Sequence, residues 1–308
     1  MFNAQQHTRA TWNASAILAI ALGLVAVLLI AGCSGSTAKS SLKDYSWSEL
    51  SEISKEISAA DSDEEGKDLA IGYGLLDAGG KMKGEAKPIT LSDGTSASVV
   101  LAGIRQDTLD DGKKAGLTFV FADAPATHAM NSESSNVGGW EKSEMRSWLN
   151  DDFADMLPSD LKGVIAAASK KTNSAGGTTP GSVSSTSDKL WLPSLVEVAG
   201  SVSPNSLVGG TSSAKIPASV YNAEGKQYQL FSEKGAAAGE GNAVLQRTFT
   251  GDDSNGSGIV VSGEASPWWL RSLSTTWTSG FEATTAEGDP QNAWITDYEL
   301  GVAPGFCL

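Results

Sequence analysis

Apolar positions in residues 138–157, GGWEKSEMRSWLNDDFADML, recur at helical spacing. Met145, Trp148, Leu149, Phe153 and Met156 share one face, and Glu144, Arg146, Ser147 and Asp151 share the other. This predicts an amphipathic helix packed on a core, with Trp140 placed behind a Gly-Gly turn to fix its start. Upstream, Ser46 and Glu49 form a capping-box pattern, and Trp47, Leu50, Ile53 and Ile57 follow at helical spacing. The acidic run 61–65 then suits the positive end of a second helix, closed by Gly72 and Gly74. A solvated helix start explains that run without a calcium loop.

From Pro88 the period shortens to two. Residues 89–91, a turn at 92–95 and residues 98–105 predict a hairpin, and a turn at 110–112 leads into LTFVF, 117–121, the most apolar strand of the chain. After the amphipathic helix, Pro158-Ser159-Asp160 caps a shorter helix over 161–167. Residues 173–187, 200–215 and 235–242 are rich in Gly, Ser, Thr or Ala and predict loops. Between them lie a short helix at 195–199 and a strand at 227–231. Four short strands close the chain at 267–272, 280–285, 293–296 and 301–306. Helix, sheet, helix, loops and sheet in that order predict an α+β fold, and no repeat of 20–50 residues recurs.

Residues 1–32 stand apart from this pattern. They hold one cation, Arg9, and no acid, and 16–30 is an unbroken apolar run with the length of a signal-peptide core. The run ends Leu29-Ile30-Ala31-Gly32-Cys33, which resembles the lipobox of bacterial lipoproteins. That resemblance implies cleavage before Cys33, a diacylglyceryl group and palmitate on that cysteine, and a protein held at the extracytoplasmic face of the cell membrane. The domain plan is therefore a signal peptide at 1–32, a flexible tether at 33–43, an N-terminal helical segment at 44–87 and a main domain at 88–308. The whole chain has a formal net charge of −14. Loss of Arg9 with the leader makes it −15, which argues against nucleic acid as a partner. Cys307 is the only other cysteine, so lipidation of Cys33 leaves no intrachain disulfide.

Four motifs then appear in order: Trp140-x-x-Ser143-x-x-Arg146-x-Trp148-Leu149-Asn150, Leu192-Pro193-Ser194-x-x-Glu197, Trp268-Trp269-Leu270-Arg271-Ser272, and Gly301-Val302-x-Pro304. They resemble a family of uncharacterised bacterial exported domains of unknown function, common in surface lipoproteins. The likeness covers roughly residues 88–308. That family usually carries arginine where this chain has Ala303. More distantly, the set is similar to the C-type lectin-like fold of the formylglycine-generating enzymes. This implies a small twisted, mainly antiparallel sheet flanked by two helices and hung with long Gly/Ser loops. Those enzymes hold copper with a cysteine pair, and Cys307 stands alone here, so the resemblance carries the fold without that activity.

No catalytic set emerges. His128 is the one histidine beyond the leader, which excludes a Cys/His zinc site, and no Gly-x-Ser-x-Gly elbow accompanies it. Ser36-x-x-Lys39 and Ser212-x-x-Lys215 match a Ser-Lys spacing without supporting partners. Residues 251–257, GDDSNGS, lack the alternation and closing glutamate of a calcium loop. No cofactor and no metal are expected. Aromatic chemistry is the better candidate. Alternation along the 268–272 strand puts Trp268 on one side and Trp269 with Arg271 on the other, so one tryptophan fills the core while its neighbour stacks on a ligand that Arg271 hydrogen-bonds. Trp277 and Trp294 would complete that wall. The competing reading makes these residues core and Arg271 a structural ion-pair partner. The leading expectation is a non-catalytic binding module for an envelope or host glycan or protein. The alternatives are a surface hydrolase with an unseen carboxylate pair and a structural spacer in an envelope complex.

Overall fold

The computed structural model describes residues 37–174, 183–203, 217–237, 260–261, 264–274, 277–286, 288–290 and 292–308. The leader, Cys33, Ser36, the Ser212/Lys215 pair and the 251–257 segment lie outside the described residues. Ala38–Leu308 forms one compact unit. Within the stretch expected as a tether, Leu42 is buried and Lys39 pairs with Glu49 at 2.6 Å, so residues 39–43 pack with this unit.

Both halves of the capping box at the Trp47–Ala59 helix are made, with Glu49 N–H donating to Ser46 Oγ at 3.2 Å and Ser46 N–H to Glu49 Oε2 at 2.7 Å. Its buried face includes Trp47, Leu50, Ile53 and Ile57. The Asp63–Gly72 helix follows, capped by Ser62. Arg105 locks this pair to the sheet from a left-handed backbone conformation, φ 55°. Its guanidinium donates to the Ile57 and Ser58 carbonyls at 2.7 Å each and pairs with Asp63 at 2.9 Å.

Strands β1 (Ala86–Thr90), β2 (Ser96–Ile104) and β3 (Leu117–Phe121) form the expected meander, and β4 (Ala126–His128) follows. The amphipathic stretch is helical but changes winding: Glu144–Trp148 is α, Leu149–Phe153 is a π turn and Ala154–Met156 is α again. Met145, Leu149 and Phe153 are fully buried, as the spacing requires. The helix expected over 161–167 is only Ser159–Lys162. Ala166 instead leaves it to bridge Cys307.

The expected 173–187 loop is corrected by a hairpin of β5 (Ala168–Asn173) and β6 (Val183–Asp188), paired over six rungs. Its buried positions on β6 are Thr186 and Asp188, so no apolar alternation marks it. Short helices follow at Leu195–Ala199, Ala218–Asn222 and Gln229–Glu233. The last of these replaces the strand expected at 227–231, an apolar run too short for periodicity to tell strand from helix. A small hairpin of β7 (Val260–Val261) and β8 (Glu264–Ala265) precedes β9 (Trp268–Leu273), β10 (Gly280–Thr284), β11 (Asn292–Ile295), β12 (Leu300–Val302) and β13 (Gly305–Cys307).

Two main sheets result. One runs β1-β2-β3-β13, all antiparallel; the other runs β11-β10-β9-β12-β4, antiparallel except where β12 lies parallel to β9. Ala303 and Pro304 carry the chain from one sheet to the other, so the single expected strand 301–306 is two. The protein is thus α+β with several mainly antiparallel sheets and short helices. A ladder of rings crosses its core: Trp47 meets Phe119 at 5.7 Å, Phe119 stacks on Phe306 at 5.3 Å, and Phe121 meets Phe153 at 5.7 Å. The helical segment expected at 44–87 packs into the same body. Ser54 Oγ donates to the Leu308 carbonyl and accepts from Leu117 N–H at 2.9 Å.

Candidate functional site

The sequence-predicted wall divides into a buried half and an exposed half. β9 is the middle strand of its sheet, and every residue of Trp268–Leu273 is buried. Trp268 and Trp269 are at most 1 % exposed, and Trp269 Nε1 donates to the His128 carbonyl at 2.9 Å. Arg271 is fully buried and its donors are taken by the protein. Nε meets Thr172 Oγ1 at 3.0 Å, the two terminal nitrogens meet both carboxylate oxygens of Glu197, and they also reach the Leu192 and Glu224 carbonyls at 2.8 and 3.0 Å. The expectation that Trp269 and Arg271 face a ligand is corrected: covered on both faces, β9 has no solvent side to offer.

The residues around Arg271 form a node that sequence reading missed. Lys170 Nζ donates to Asp107, to Glu197 at 2.6 Å and to Tyr228 at 3.0 Å, and lies 4.4 Å from the Trp191 ring centre. Ser194 caps the Leu195–Ala199 helix in a full capping box with Glu197, which aims that carboxylate into the node. Ser272 Oγ donates to Glu224, whose other oxygen accepts from Asn173 N–H at 3.3 Å. Two of the four motifs therefore converge on one ion-pair cluster. A third braces the amphipathic helix, since Trp140 Nε1 and Arg146 Nε both donate to Asp188, at 2.9 and 2.6 Å.

The node joins three carboxylates, Asp107, Glu197 and Glu224, to two cations, Lys170 and Arg271. Burial alone would raise Glu197, but Arg271 and Lys170 override it and hold that carboxyl at about 2. Burial pushes Glu224 up to about 7, against the pull of Arg271 and the Ser272 hydrogen bond. The ordinary value of both is 4.5, so the two groups act in opposite senses. As pH rises from 4.5 towards 7 the unfolded chain sheds the Glu224 proton that the fold retains, and stability falls by on the order of 3 kcal/mol. As pH falls from 4.5 towards 2 the fold loses the stabilisation held by Glu197. Urea midpoints should therefore peak near pH 4.5 on account of these groups, and Glu224→Gln should flatten the neutral limb.

The exposed half is a rim at one edge of the second sheet. Among the described residues the exposed large hydrophobic side chains are Val137 at 70 %, Trp277 at 48 % and Tyr298 at 52 %, and all three lie there. Asn136 fastens the Val137 loop to the β9–β10 connection, its N–H and Nδ2 donating to the Thr278 and Trp277 carbonyls at 3.3 and 3.1 Å. Thr296 N–H donates to the Ser279 carbonyl at 2.9 Å, and Thr296 Oγ1 to that of Glu133 at 2.7 Å. These bonds tie the turn that carries Tyr298 to both loops. Trp294 is half-buried and meets Tyr298 edge-on, with centroids 5.8 Å apart. A Cβ on Gly280 would stand 3.5 Å from the Trp277 ring and 3.0 Å from the Trp294 backbone carbonyl, so Trp277 rests on that glycine. Tyr298 and Val137 escaped sequence reading because each is an isolated apolar residue in a polar turn.

A second surface lies along the amphipathic helix. His128 stacks on Trp148 at 4.3 Å and opens on a shallow cleft of about 340 Å³ that Glu144, Ser147, Asp151 and Asp152 also line. The His128 Nδ1 donates to the Ala129 carbonyl at 2.6 Å. The π turn sets Asp151 and Asp152 side by side, and neither carboxylate has a partner among the described residues. Among the described residues no three His, Cys, Asp or Glu side chains are grouped to hold a metal ion, and no helix is long and apolar enough to cross a membrane.

Fold and surface together define an α+β domain with a buried charged cluster, an exposed aromatic rim and a polar cleft along the amphipathic helix. The chain belongs to the family described as a domain of unknown function, DUF6273, whose profile matches residues 115–308. No curated protein and no solved structure matches it. The match begins at Ala115, just before β3, yet β1, β2 and the two opening helices complete the same unit.

Proposed function

We propose that the protein is a lipid-anchored, extracytoplasmic binding module of a bacterial surface, held through Cys33 and contacting an envelope or host glycan or protein through the rim of Val137, Trp277 and Tyr298. The gathering of the exposed large hydrophobic side chains on one edge carries this reading. A non-catalytic role is supported by the buried node, whose carboxylates and cations are occupied by one another. The lipobox Leu29–Cys33 supports the anchor, and sheets edged by short helices and loops support the finer C-type lectin-like assignment. One observation favours a surface hydrolase as second reading: the unpaired Asp151 and Asp152 beside His128. Neutralising those aspartates separates the two, since a hydrolase then loses turnover while a rim-based module keeps its affinity.

The anchor has its own test. Cells fed an alkyne-tagged palmitate should label the wild-type protein, and Cys33→Ser should abolish the label and release the protein from the membrane fraction. An unlabelled wild-type chain in the soluble fraction would sink the anchor.

A further inference from the structure

Lys170 and Asp107 are brought together by backbone as well as by charge. Ser169 N–H donates to the Thr108 carbonyl at 2.8 Å, Leu109 bridges Ala168, and Ala115 N–H donates to the Asp107 carbonyl at 3.0 Å. The start of β5 and the segment after β2 are therefore fixed side by side, and Lys170 Nζ meets Asp107 Oδ1 directly. Both side chains are buried, with the rings of Trp191 and Tyr228 against the amine. Each group that an amide condensation needs touches this pair. Thr118 Oγ1 donates to Asp107 Oδ2 at 2.8 Å, which polarises that C–O bond as a carbonyl. Tyr228 Oη accepts from Lys170 Nζ at 3.0 Å and donates to Asp107 Oδ1 at 3.4 Å, so Oδ1 is the oxygen supplied with protons to leave. Glu197 Oε1 lies 2.6 Å from Nζ, where its charge steadies a nitrogen that turns cationic on attack. Glu197 is the poorer acyl partner, because Arg271 grips both its oxygens and Ser194 N–H adds a third bond. Asp107 has Lys170 as its only ion-pair partner among the described residues, and one proton passed along their hydrogen bond discharges both. Burial favours that discharge, since a neutral pair costs less than two charges away from water.

We propose that Lys170 and Asp107 condense to an intramolecular amide once the domain has folded. The ammonium proton passes from Nζ to Asp107 Oδ1, which leaves a neutral amine against a carboxylic acid. Nζ then attacks Cγ, and Thr118 Oγ1 holds the oxyanion that forms at Oδ2. The nitrogen gives a second proton to Tyr228 Oη as that hydroxyl hands its own to Oδ1. The Cγ–Oδ1 bond breaks, Oδ1 leaves as water, and Oδ2 becomes the amide carbonyl. One ammonium and one carboxylate disappear together, so the cluster keeps its net charge and consumes no oxidant or reductant. Fixed neighbours supply the effective concentration that free amines and acids lack in water, which makes the step a property of the folded chain. The bond depends on neither the rim nor the lipid anchor.

The full-length protein, purified in detergent and fully denatured, can be digested with trypsin and read by mass spectrometry. The expected result is a linked pair of peptides, one holding Asp107 and the other Lys170, lighter than their sum by one water and uncleaved after Lys170. Fragment ions should place the link at Asp107, and Lys170→Met should remove it. Thr118→Val loses the hydroxyl that holds the oxyanion, so in freshly made protein the link should form about a hundredfold more slowly. Its circular dichroism should match the wild type, which separates slow chemistry from a lost fold. Two separate peptides from the wild type, with normal cleavage after Lys170, overturn the proposal and leave an ordinary ion pair. That wild-type result needs no variant, so it decides the matter even where Lys170→Met fails to fold. A link from Lys170 to Glu197 overturns the choice of Asp107, and a Thr118→Val chain that links as fast as the wild type overturns the chemistry proposed here.

Discussion

Arg271→Met lowers the free energy of unfolding by about 3–5 kcal/mol, read as a fall in the urea midpoint. The guanidinium satisfies both oxygens of Glu197 and four other oxygen acceptors in a site with no solvent access. Methionine fills part of the volume and leaves Glu197 with Lys170 as its only remaining cation, already shared with Asp107. A buried carboxylate stripped of half its compensation is the dominant loss, and methionine recovers little of it by packing. Removing the carboxylate as well, in Arg271→Met with Glu197→Leu, should therefore cost less than the sum of the two single changes. Had Arg271 been a ligand-binding residue at a surface, the single change would leave the midpoint within about 0.5 kcal/mol of wild type. An unshifted urea midpoint is the outcome that would contradict the node.

Gly116→Ala is the second large effect, expected at about 3 kcal/mol. A Cβ at Gly116 would stand 1.9 Å from the Ser54 carbonyl oxygen and 2.6 Å from its carbon, both backbone atoms of the Trp47–Ala59 helix. No rotamer relieves a clash with backbone, so the helix must lift from β3. Lifting it breaks the bonds from Ser54 Oγ to Leu308 and from Leu117 N–H to Ser54 Oγ. Gly72→Ala is the control, because nothing lies within 4 Å of a Cβ there. Thermal melts of the two variants should differ clearly, and equal midpoints would mean that the helix does not seat on Gly116.

What could be read from the chain was local. The capping box at Ser46, the helical spacing of Met145, Leu149 and Phe153, and the strand LTFVF each draw on residues a few positions apart. The candidate site was legible only in part. Trp277 and Trp294 do lie at the surface, but Trp268, Trp269 and Arg271 are interior. Alternation assigns two faces to β9 without saying that both are covered, and that depends on strand order, which a sequence does not display. The node was invisible for a related reason. Asp107, Lys170, Glu197, Glu224 and Arg271 come from five separate segments; Glu197 and Arg271 stand in two of the four motifs, but nothing local says that these meet, and Asp107, Lys170 and Glu224 belong to none of the four. The polar strand β6 reads as a loop in the sequence because its inward positions, Thr186 and Asp188, are hydrophilic and serve Trp140, Arg146 and the β5 backbone.

β13 reaches back to β3 across most of the domain, with Cys307 set against Thr118 at a separation of 189 residues. A polypeptide emerging in order from the ribosome has no neighbour for that edge of β3 until position 307 is synthesised. Its long-range pairings then form late and together. A shortened product is consequently a whole domain left open, with its aromatic ladder missing Phe306, rather than a smaller version of the finished one.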